Sequence, residues 1–458
     1  MKRTVGAAAG WLLSCSLLAL ASHPAAAQAP VGAAPAAGAS PSTGAVPSPQ
    51  NAPANQAKPG EPAKAADTAA APPAAPTTWA GGIKFTAQFE GGATVAPVNP
   101  SDGLNFGQLF TDRTNQFVLN QALLTLQRPI DPKSTDYDFG FKLQGLYGTD
   151  ARYVQFLGEL NSSFASKYQL AFVEANVAAH LPLLFGGGID VKVGQFATPL
   201  GFETIDPSTN AFYSKSYIFN YGLPFVSFGG LGIAHVTPFL DVYFGADTGS
   251  NTTFGAGDEN GAAAGTAGLG FTFLDGNLTL LALTHFGPEN PTKTVPGANS
   301  SFRYFNDIVV TYKATDKLSL TTELNLIRDD AFGANAYGAA QYVSYALNDH
   351  VALNARAEVY RDDSGFFVAG FRGYHDFANF QLGNPVAGVV AVGPATYGEA
   401  TLGLTWKPTL PAAVSDYTTG LMIRPEVRYD RTLTTTNAYN NRSDRGVFTF
   451  AADFVLGF

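Results

Sequence analysis

The sequence predicts an all-β protein, a transmembrane antiparallel up-and-down β-barrel of about 16 strands, and three observations lead to this fold class. Of the 458 residues, 46% are hydrophobic but only 14% are charged, whereas soluble globular chains carry about 25% charged residues. After residue 27, no stretch offers the roughly 20 consecutive apolar residues that a membrane helix needs. Apolar and polar residues instead alternate with period two, as in strands that have one face in lipid and one in a polar lumen.

Residues 1–27 have the pattern of a secretory signal peptide. Lys2 and Arg3 form the charged start, an apolar segment follows, and small residues precede a cleavage site after Ala27. The apolar segment is too short to anchor the chain in a membrane. A lipoprotein leader cut before Cys15 is disfavoured because that site falls inside the apolar segment. We therefore expect an exported protein.

Residues 28–78 consist almost entirely of Ala, Pro, Gly, Gln and Ser. Such a segment cannot bury enough apolar area to offset the entropy of ordering, and its prolines favour extended conformations. We expect a disordered periplasmic linker ahead of a barrel domain that spans 79–458. A more specific role, as a tether toward the cell wall, stays open.

The alternation from Trp79 onward assigns sixteen strands. On one segment Ile83, Phe85 and Phe89 share a face, and Lys84 and Glu90 lie on the other. The predicted strands are 82–91, 116–127, 136–147, 167–178, 188–196, 229–237, 240–248, 264–274, 277–286, 304–314, 317–327, 337–346, 350–361, 396–407, 417–430 and 446–458.

The gaps between these strands predict the topology. Gaps after even-numbered strands are mostly tight turns, such as Asp275-Gly276 and Thr315-Asp316, and gaps after odd-numbered strands are mostly long. Outer-membrane barrels have short periplasmic turns and long extracellular loops, so both ends of the barrel domain are expected in the periplasm. The segment 362–395 is rich in Phe and Val, and two further strands there would give an alternative of eighteen.

The last predicted strand carries a second signal. Phe448, Phe450, Phe454 and Phe458 lie on one face, and Phe458 is the last residue. A final strand that ends in Phe resembles the signal read by the bacterial outer-membrane assembly machinery. We therefore expect that machinery as a partner and the outer membrane of a Gram-negative bacterium as the location.

Motifs for catalysis or cofactor binding are sparse. The single cysteine lies in the leader, and the six histidines form no HxH or HExxH pair, so we expect no metal site. No GxSxG elbow or Walker loop occurs, and no Ser–His pair stands out. An enzyme and a bound cofactor are therefore not expected. The formal net charge of −9 also disfavours binding to nucleic acid.

Charged residues on the polar faces of the strands are the candidate pore-lining residues. Both signs occur, sometimes two residues apart on one strand, and opposed charges would orient water and favour small polar solutes. For any one residue the simpler role is to solvate the wall and pair with a neighbour. The candidates are Lys84, Glu90, Lys142, Glu174, Asp190, Lys192, Glu323, Arg356, Glu358, Glu399, Arg424, Glu426, Arg428 and Asp453.

The loop 197–228 is long and dense in aromatic residues. An apolar loop that faced only water would be costly, so we expect it to fold into the lumen as a constriction. A cap over the rim and a contact between protomers are the alternatives. The candidate constriction residues are Glu203, Asp206, Tyr213, Lys215, Tyr217 and Tyr221.

A family resemblance lies at the start of this loop. The run Val191–Glu203, with the sequence VKVGQFATPLGFE, resembles the putative β-barrel porin-2, OmpL-like family, as do Asn210–Tyr217 and Asn220–Phe225. The first run is also similar to the G-Q-F-x-T-P-x-G-x-E segment of phosphate-selective porins. The resemblance implies an outer-membrane pore and brings no catalytic residues. Phosphate specificity is not expected, because this chain is net acidic and lacks an Arg/Lys ladder.

The function expected from these observations is an outer-membrane porin. Small hydrophilic solutes or ions would diffuse passively through a water-filled pore, because barrels of 16–18 strands enclose an aqueous channel. Two alternatives stay open: a solute-specific channel, for instance for sugars, and a non-conducting structural or adhesive barrel closed by 197–228 and 362–395. A homotrimer is expected by analogy with porins of this size.

Overall fold

Sixteen antiparallel strands close into one barrel in the computed structural model, which describes residues 78–160, 166–253, 257 and 259–458. The predicted signal peptide, 1–27, and the predicted linker, 28–78, lie outside the described residues except for residue 78. Within the described part of the chain, no helix is long and apolar enough to cross a membrane.

The predicted count of sixteen barrel strands is confirmed, and each strand begins and ends within four residues of its predicted bounds. The barrel consists of β1 Lys84–Val95, β2 Gln116–Arg128, β3 Asp138–Gly148, β4 Gln169–Leu181, β5 Ile189–Ala197, β6 Val226–Thr237, β7 Leu240–Ser250, β8 Ala264–Phe273, β9 Leu278–Pro288, β10 Phe302–Lys313, β11 Leu318–Asp329, β12 Ala334–Asn348, β13 Val351–Asp362, β16 Ala395–Trp406, β17 Gly420–Thr432 and β18 Gly446–Gly457. In the part of the chain that the structure describes, three short α-helices lie between strands: α1 Tyr217–Tyr221, α2 Asp376–Gln381 and α3 Ala412–Ser415.

The alternative of eighteen barrel strands is wrong. The segment between β13 and β16 does contain two strands, β14 Ala369–Phe371 and β15 Val389–Ala391, but they pair only with each other. With three residues each they are far shorter than the roughly 9–11 residues that cross a membrane. Asp362 turns the chain inward at this point, because its carboxylate accepts hydrogen bonds from the amides of Gly365, Phe367 and Val368.

The connections separate the two ends of the barrel. We call the end with most of the short connections the turn end and the opposite end the loop end. Two connections depart from this pattern: the loop-end connection 330–333 has only four residues, and the turn-end connection 407–419 has thirteen and contains α3. The first is short because β11 and β12 pair continuously up to Asp329 and Ala334, which forms a tight hairpin.

The outer face of the barrel is apolar. The predicted alternation places Leu402, Val193 and Phe450 outward, and half or more of each side chain is exposed. Aromatic residues concentrate near both ends of the strands, for example Trp406 at the turn end and Phe448 at the loop end. A lipid-facing band flanked by aromatic girdles is the exterior that a bilayer requires.

The barrel closes between its first and last strands. β1 pairs with β18 over eight positions, from Gln88 opposite Gly457 to Val95 opposite Phe450. Phe458 extends this seam, because its amide donates to the Ala87 carbonyl at 2.8 Å. Closure leaves no unpaired strand edge, which would be costly in lipid.

A charge at the centre of the outer face should destabilise the barrel. Replacing Leu402 with Arg should lower the free energy of unfolding by about 2–4 kcal/mol, because an Arg near the bilayer midplane must be desolvated. The measurement is guanidinium unfolding in lipid vesicles. The matched control is Thr279→Arg, on the inner face beside a cavity, which should change stability by less than about 1 kcal/mol. Equal costs at the two positions would contradict the assignment of inner and outer faces.

Candidate functional site

The longest excursion into the barrel is the connection between β5 and β6, residues 198–225, which we call the inner loop. It lies within the predicted loop 197–228, because β6 begins three residues earlier than expected. Its residues hydrogen-bond to inward-facing side chains of β1, β2, β10, β11, β13 and β17. Wall side chains therefore support the inner loop around much of the circumference.

Two carboxylates on β10 and β11 bind the start of the inner loop. Asp307 accepts a hydrogen bond from the amide of Gly201 at 3.1 Å, and Glu323 accepts one from the amide of Phe202 at 2.9 Å. The Tyr342 hydroxyl donates to the second oxygen of Glu323 at 2.9 Å. Buried carboxylates are tolerated when donors surround them, so this wall and the loop backbone satisfy each other.

Arg356 on β13 joins the wall to the middle of the loop. Its Nε donates to Glu399 of β16 at 2.6 Å, and its Nη1 donates to Glu203 of the loop at 2.7 Å. The same Nη1 also donates to the backbone carbonyl of Ser214 at 2.9 Å. The guanidinium is fully buried. Removing both carboxylates would leave an uncompensated buried charge, a kind of loss that costs about 3–5 kcal/mol.

Arg424 on β17 holds the next segment of the loop in the same way. Its Nη1 donates to the backbone carbonyls of Pro207 and Asn210, both at 2.8 Å. Its other nitrogens pair with Asp453 of β18 and with Glu90 of β1, the latter at 3.0 Å. One guanidinium thus connects three strands to two backbone carbonyls of the loop.

Arg428, four residues after Arg424 on β17, reaches Lys215, which lies two residues before the loop helix α1. It forms a bidentate pair with Asp430 at 2.7 and 2.8 Å and donates to the carbonyl of Lys215 at 2.6 Å. Its guanidinium carbon lies 5.6 Å from the centre of the Tyr217 ring. The three arginines therefore all donate to carbonyls of the loop backbone, and Arg356 also pairs with the loop side chain Glu203.

Two glutamates of the wall accept hydrogen bonds from loop amides. Glu426 accepts from the amides of Tyr213 and Ser214, at 2.9 and 3.2 Å. Glu358 accepts from the first two amides of α1, at 2.6 and 2.8 Å. The first amides of a helix have no partner within the helix, and a carboxylate is a favourable acceptor for them.

The charged residues of the inner loop are all engaged. Glu203 accepts a hydrogen bond from the Ser216 amide at 2.7 Å besides its pair with the wall. Asp206 accepts from Gln88 of β1 at 3.0 Å. Lys215 donates to a backbone carbonyl of the loop at 3.0 Å, and burial lowers its pKa to about 8.

The tyrosines of the inner loop are buried rather than presented to a channel. The Tyr213 hydroxyl donates to Asn120 of β2 at 2.9 Å, and the Tyr217 hydroxyl bonds to the Tyr439 hydroxyl at 2.8 Å. The Tyr221 hydroxyl donates to a backbone carbonyl of β14 at 3.0 Å. In the alternative of a sugar-specific channel, aromatic side chains of this loop would form a sliding track for the sugar, and these three buried rings do not form one.

Glycines on the inner face make room for the loop. A Cβ atom at Gly92 would lie 2.7 Å from the ring of Tyr213, and one at Gly403 would lie 3.1 Å from the ring of Phe212. A side chain at Gly92 would therefore displace the loop. A glycine at an inward position of a strand indicates that another part of the chain approaches the strand closely there, and the sequence contained this signal.

A cavity of about 740 Å³ remains on the side that the loop leaves free. Its walls are the loop residues Leu200 and Leu223 and inward-facing residues of β3, β4 and β7–β10. It reaches the turn end, where the turns at 131–133 and 275–277 contribute to its lining. The space inside the barrel is thus asymmetric, with the loop against one part of the wall and the cavity against the other.

The remaining candidate pore-lining residues lie on the cavity side or near the turn end. Lys142 and Lys192 both approach the Glu174 carboxylate, at 3.3 and 3.8 Å. Asp190 bonds to the imidazole of His180 at 2.7 Å, and Lys84 is exposed.

Further loops at the loop end pack on the inner loop. Buried apolar residues from 96–115, 149–168, 363–394 and 433–445 join the inner loop in one cluster. Arg152 forms a bidentate pair with Asp112, at 2.8 Å for both bonds, and thereby joins two of these loops. Although burial acts to raise it, the Arg152 guanidinium holds the pKa of Asp112 below its ordinary value.

Several residues of this arrangement were not among the sequence candidates. Asp307 could have been found, because the alternation along 304–314 places it inward. His235, which bonds to Asp241 at 2.7 Å, also lies inward on its strand. Asp112 and Arg152 could not have been found from the sequence, because loop residues that are distant in sequence carry no period that predicts their pairing.

Comparison with known proteins finds one family model that matches most of the chain and several similar solved structures. The sequence model of the family described as putative beta-barrel porin-2, OmpL-like, matches residues 82–458. Three solved structures are similar: Pseudomonas putida OprB at high pH (16% identity, 82% of this chain and 94% of that chain, TM-score 0.49), the outer membrane channel DcaP of Acinetobacter baumannii (12%, 82% and 97%, 0.46), and Salmonella typhi OmpF in complex with daunomycin (8%, 82% and 97%, 0.48). No curated protein matches the chain.

The buried Lys215 gives the barrel a specific pH dependence. Its pKa falls from 10.5 to about 8 on folding, so the unfolded chain binds more protons between these values and stability rises with pH there. The rise should reach about 3 kcal/mol. Guanidinium unfolding of the wild type and of Lys215→Met, measured between pH 7.5 and 10.5, should show the rise only in the wild type. If the stability of the wild type and of Lys215→Met changed with pH in parallel, the assignment of this pH dependence to Lys215 would be contradicted.

Proposed function

Because the chain belongs to the putative beta-barrel porin-2, OmpL-like family, we propose that it is an outer-membrane porin for the passive diffusion of small hydrophilic solutes or ions. The inner loop constricts its water-filled pore. The family and the fold indicate a channel rather than an enzyme. The observation that carries the proposal is the asymmetric lumen, in which a loop tethered to one part of the wall borders a cavity of about 740 Å³ along the other.

The constriction is supported by how the inner loop is held. Its backbone bonds to buried charges of the wall, among them Arg356, Arg424 and Glu358, so the loop has a fixed position. Solutes would pass between the loop and the strands β3, β4 and β7–β10, beside Lys142 and Glu174. This side carries both signs of charge, which suits polar solutes of either sign.

The orientation in the membrane follows from the connections. We place the turn end and both ends of the barrel domain in the periplasm, after signal-peptide cleavage near Ala27, and the loop end outside the cell. Phe458, at the seam between β1 and β18, is the residue that we expect the assembly machinery to read.

Lipid and further copies of the chain are the proposed neighbours in the membrane. Most of the outer face is apolar, but Thr322 donates to Gln341 at 2.7 Å on the exposed surface of β11 and β12. The small residues Ala357 and Ala400 lie beside this pair along the register. A polar pair among small residues favours contact between protomers over contact with lipid, which supports a homotrimer.

A non-conducting structural or adhesive barrel is the second candidate function. The observation that favours it is the buried apolar cluster at the loop end, in which four loops pack on the inner loop. In that case the cavity would be a closed chamber that opens only to the periplasm. Conductance separates the two functions.

Shortening the inner loop should widen the pore. Deletion of 205–220 removes the segment that Arg424, Glu426 and Glu358 hold, so single-channel conductance in a planar bilayer should rise at least about twofold. Deletion of the exposed tip 292–297 of a rim loop is the control and should leave conductance unchanged. If the long deletion fails to fold, Leu223→Ala, which enlarges the cavity, should still raise conductance. Unchanged conductance in both loop variants would place the solute path elsewhere.

The topology predicts which sites protease reaches on intact cells. Trypsin should cut at Lys293 in 289–301 and at Arg442 in 433–445, because these loops would face outward. It should spare Lys317, which is exposed at the turn end beside Asp316. A protease without sequence preference should likewise spare the turn at Asp349. Opened cells are the control, in which Lys317 should become accessible. Cleavage at Lys317 alone in intact cells would mean that the orientation is inverted.

A further inference from the structure

A second cavity, of about 280 Å³, lies at the loop end, apart from the chamber along β3–β10. Residues of four loop-end connections, 251–263, 289–301, 330–333 and 363–394, and of β7 and β10 form its walls, and we call it the mouth pocket. On the proposed topology it faces the outside of the cell, where a solute first meets the barrel. Its volume lies near the lower limit for ligand pockets, which restricts a ligand to about the size of one ring.

One wall of the mouth pocket is aromatic. Phe332, Phe366 and Phe380 come from three different segments, and the rings of Phe332 and Phe366 lie 4.7 Å apart. Phe332 is 51% exposed and Phe380 is 45% exposed, although both lie in loops and not on the lipid face. An apolar group or a cation that bound against these water-exposed rings would gain free energy, from burial of the ring surface or from cation–π attraction.

The opposite wall contains a buried carboxylate with an unused oxygen. The Glu289 side chain is only 1% exposed, and its Oε2 accepts a hydrogen bond from the Ser250 amide at 2.8 Å. Its Oε1 accepts no hydrogen bond from the described residues. The nearest charged group to Oε1 is His285 Nδ1 at 3.5 Å, which is beyond hydrogen-bond distance. A buried acceptor without a donor costs free energy that a ligand donor would recover.

The charges of the mouth pocket select the sign of the ligand. Arg303 also lines it, but Asp329 and Asn290 hold this guanidinium at 2.8 and 3.0 Å, so its charge is compensated. Counting the wall and the layer directly behind it, four carboxylates face one guanidinium and one imidazole: Asp247, Glu259, Glu289, Asp329, Arg303 and His285. The site is net negative whether or not the imidazole is protonated, which favours a cation.

We propose that the mouth pocket binds small organic cations with an apolar group, such as arylalkyl amines. The ammonium pairs with the carboxylate of Glu289, and the apolar body lies between Phe332, Phe366 and Phe380. The inference rests on the proposed function in one respect: binding at the mouth pocket selects solutes only if the barrel is a channel. Binding itself can be measured without any conductance.

The test is isothermal titration calorimetry on the full folded barrel in detergent. The probes are benzylamine, the neutral benzyl alcohol and the anionic benzoate, which differ mainly in charge. Benzylamine should bind at least about tenfold more tightly than the other two, because only it supplies an ammonium for the aromatic wall and the buried carboxylate. Equal affinity of the three probes, or no binding of benzylamine, would overturn the inference.

Variants of the barrel locate the binding. Glu289→Gln keeps an acceptor for the Ser250 amide, and Phe332→Ala removes an exposed ring, so both barrels should fold. Each should weaken benzylamine binding by about fivefold or more, while the lipid-facing Phe85→Ala should not change it. Wild-type affinity in both pocket variants would refute the site. A barrel that conducts KCl but does not bind benzylamine would refute only this inference, whereas binding by a silent barrel would refute only the proposed function.

Discussion

The interaction on which the rest of the structure depends is the bonding between buried wall charges and the backbone of the inner loop. A barrel of sixteen strands encloses more space than its own side chains fill, and the loop 198–225 occupies part of that space. A loop inside a barrel carries amides and carbonyls that must find partners. Arg356, Arg424 and Arg428 supply donors to its carbonyls, and Glu358 and Glu426 supply acceptors to its amides.

The same bonding explains why opposed charges alternate along β13 and β17. Each guanidinium needs a carboxylate as well as a loop carbonyl, and neighbouring strands provide it, as Glu399 does for Arg356. A wall of one sign could not hold the loop without leaving buried charges unpaired. The charges that hold the loop are paired with one another and with its backbone. On the proposed function, the charges that solutes would meet are therefore those of the opposite side, around Lys142 and Glu174.

Much of the fold could be predicted because the bilayer imposes a strict period of two on every strand. That period places sixteen strands and makes inward charges such as Arg424 and Glu90 identifiable. It says nothing about partners across the lumen, so the bond from Arg424 to the carbonyl of Pro207 could not be foreseen. The segment 362–395 suggested two further barrel strands for a related reason. Its apolar residues pack on other loops, but in the sequence they resemble residues that face lipid. The mouth pocket was missed because loop residues meet without any period.

The most direct test of the account is the conductance of the purified, refolded barrel in a planar bilayer under a KCl gradient. A constricted pore predicts discrete current steps, smaller than an unobstructed sixteen-stranded barrel would give, and a reversal potential whose sign reports the ion preference. A silent bilayer, with the protein shown to be folded and inserted, would contradict the account. It would indicate instead that the loops at the loop end seal the barrel and that its role is structural or adhesive.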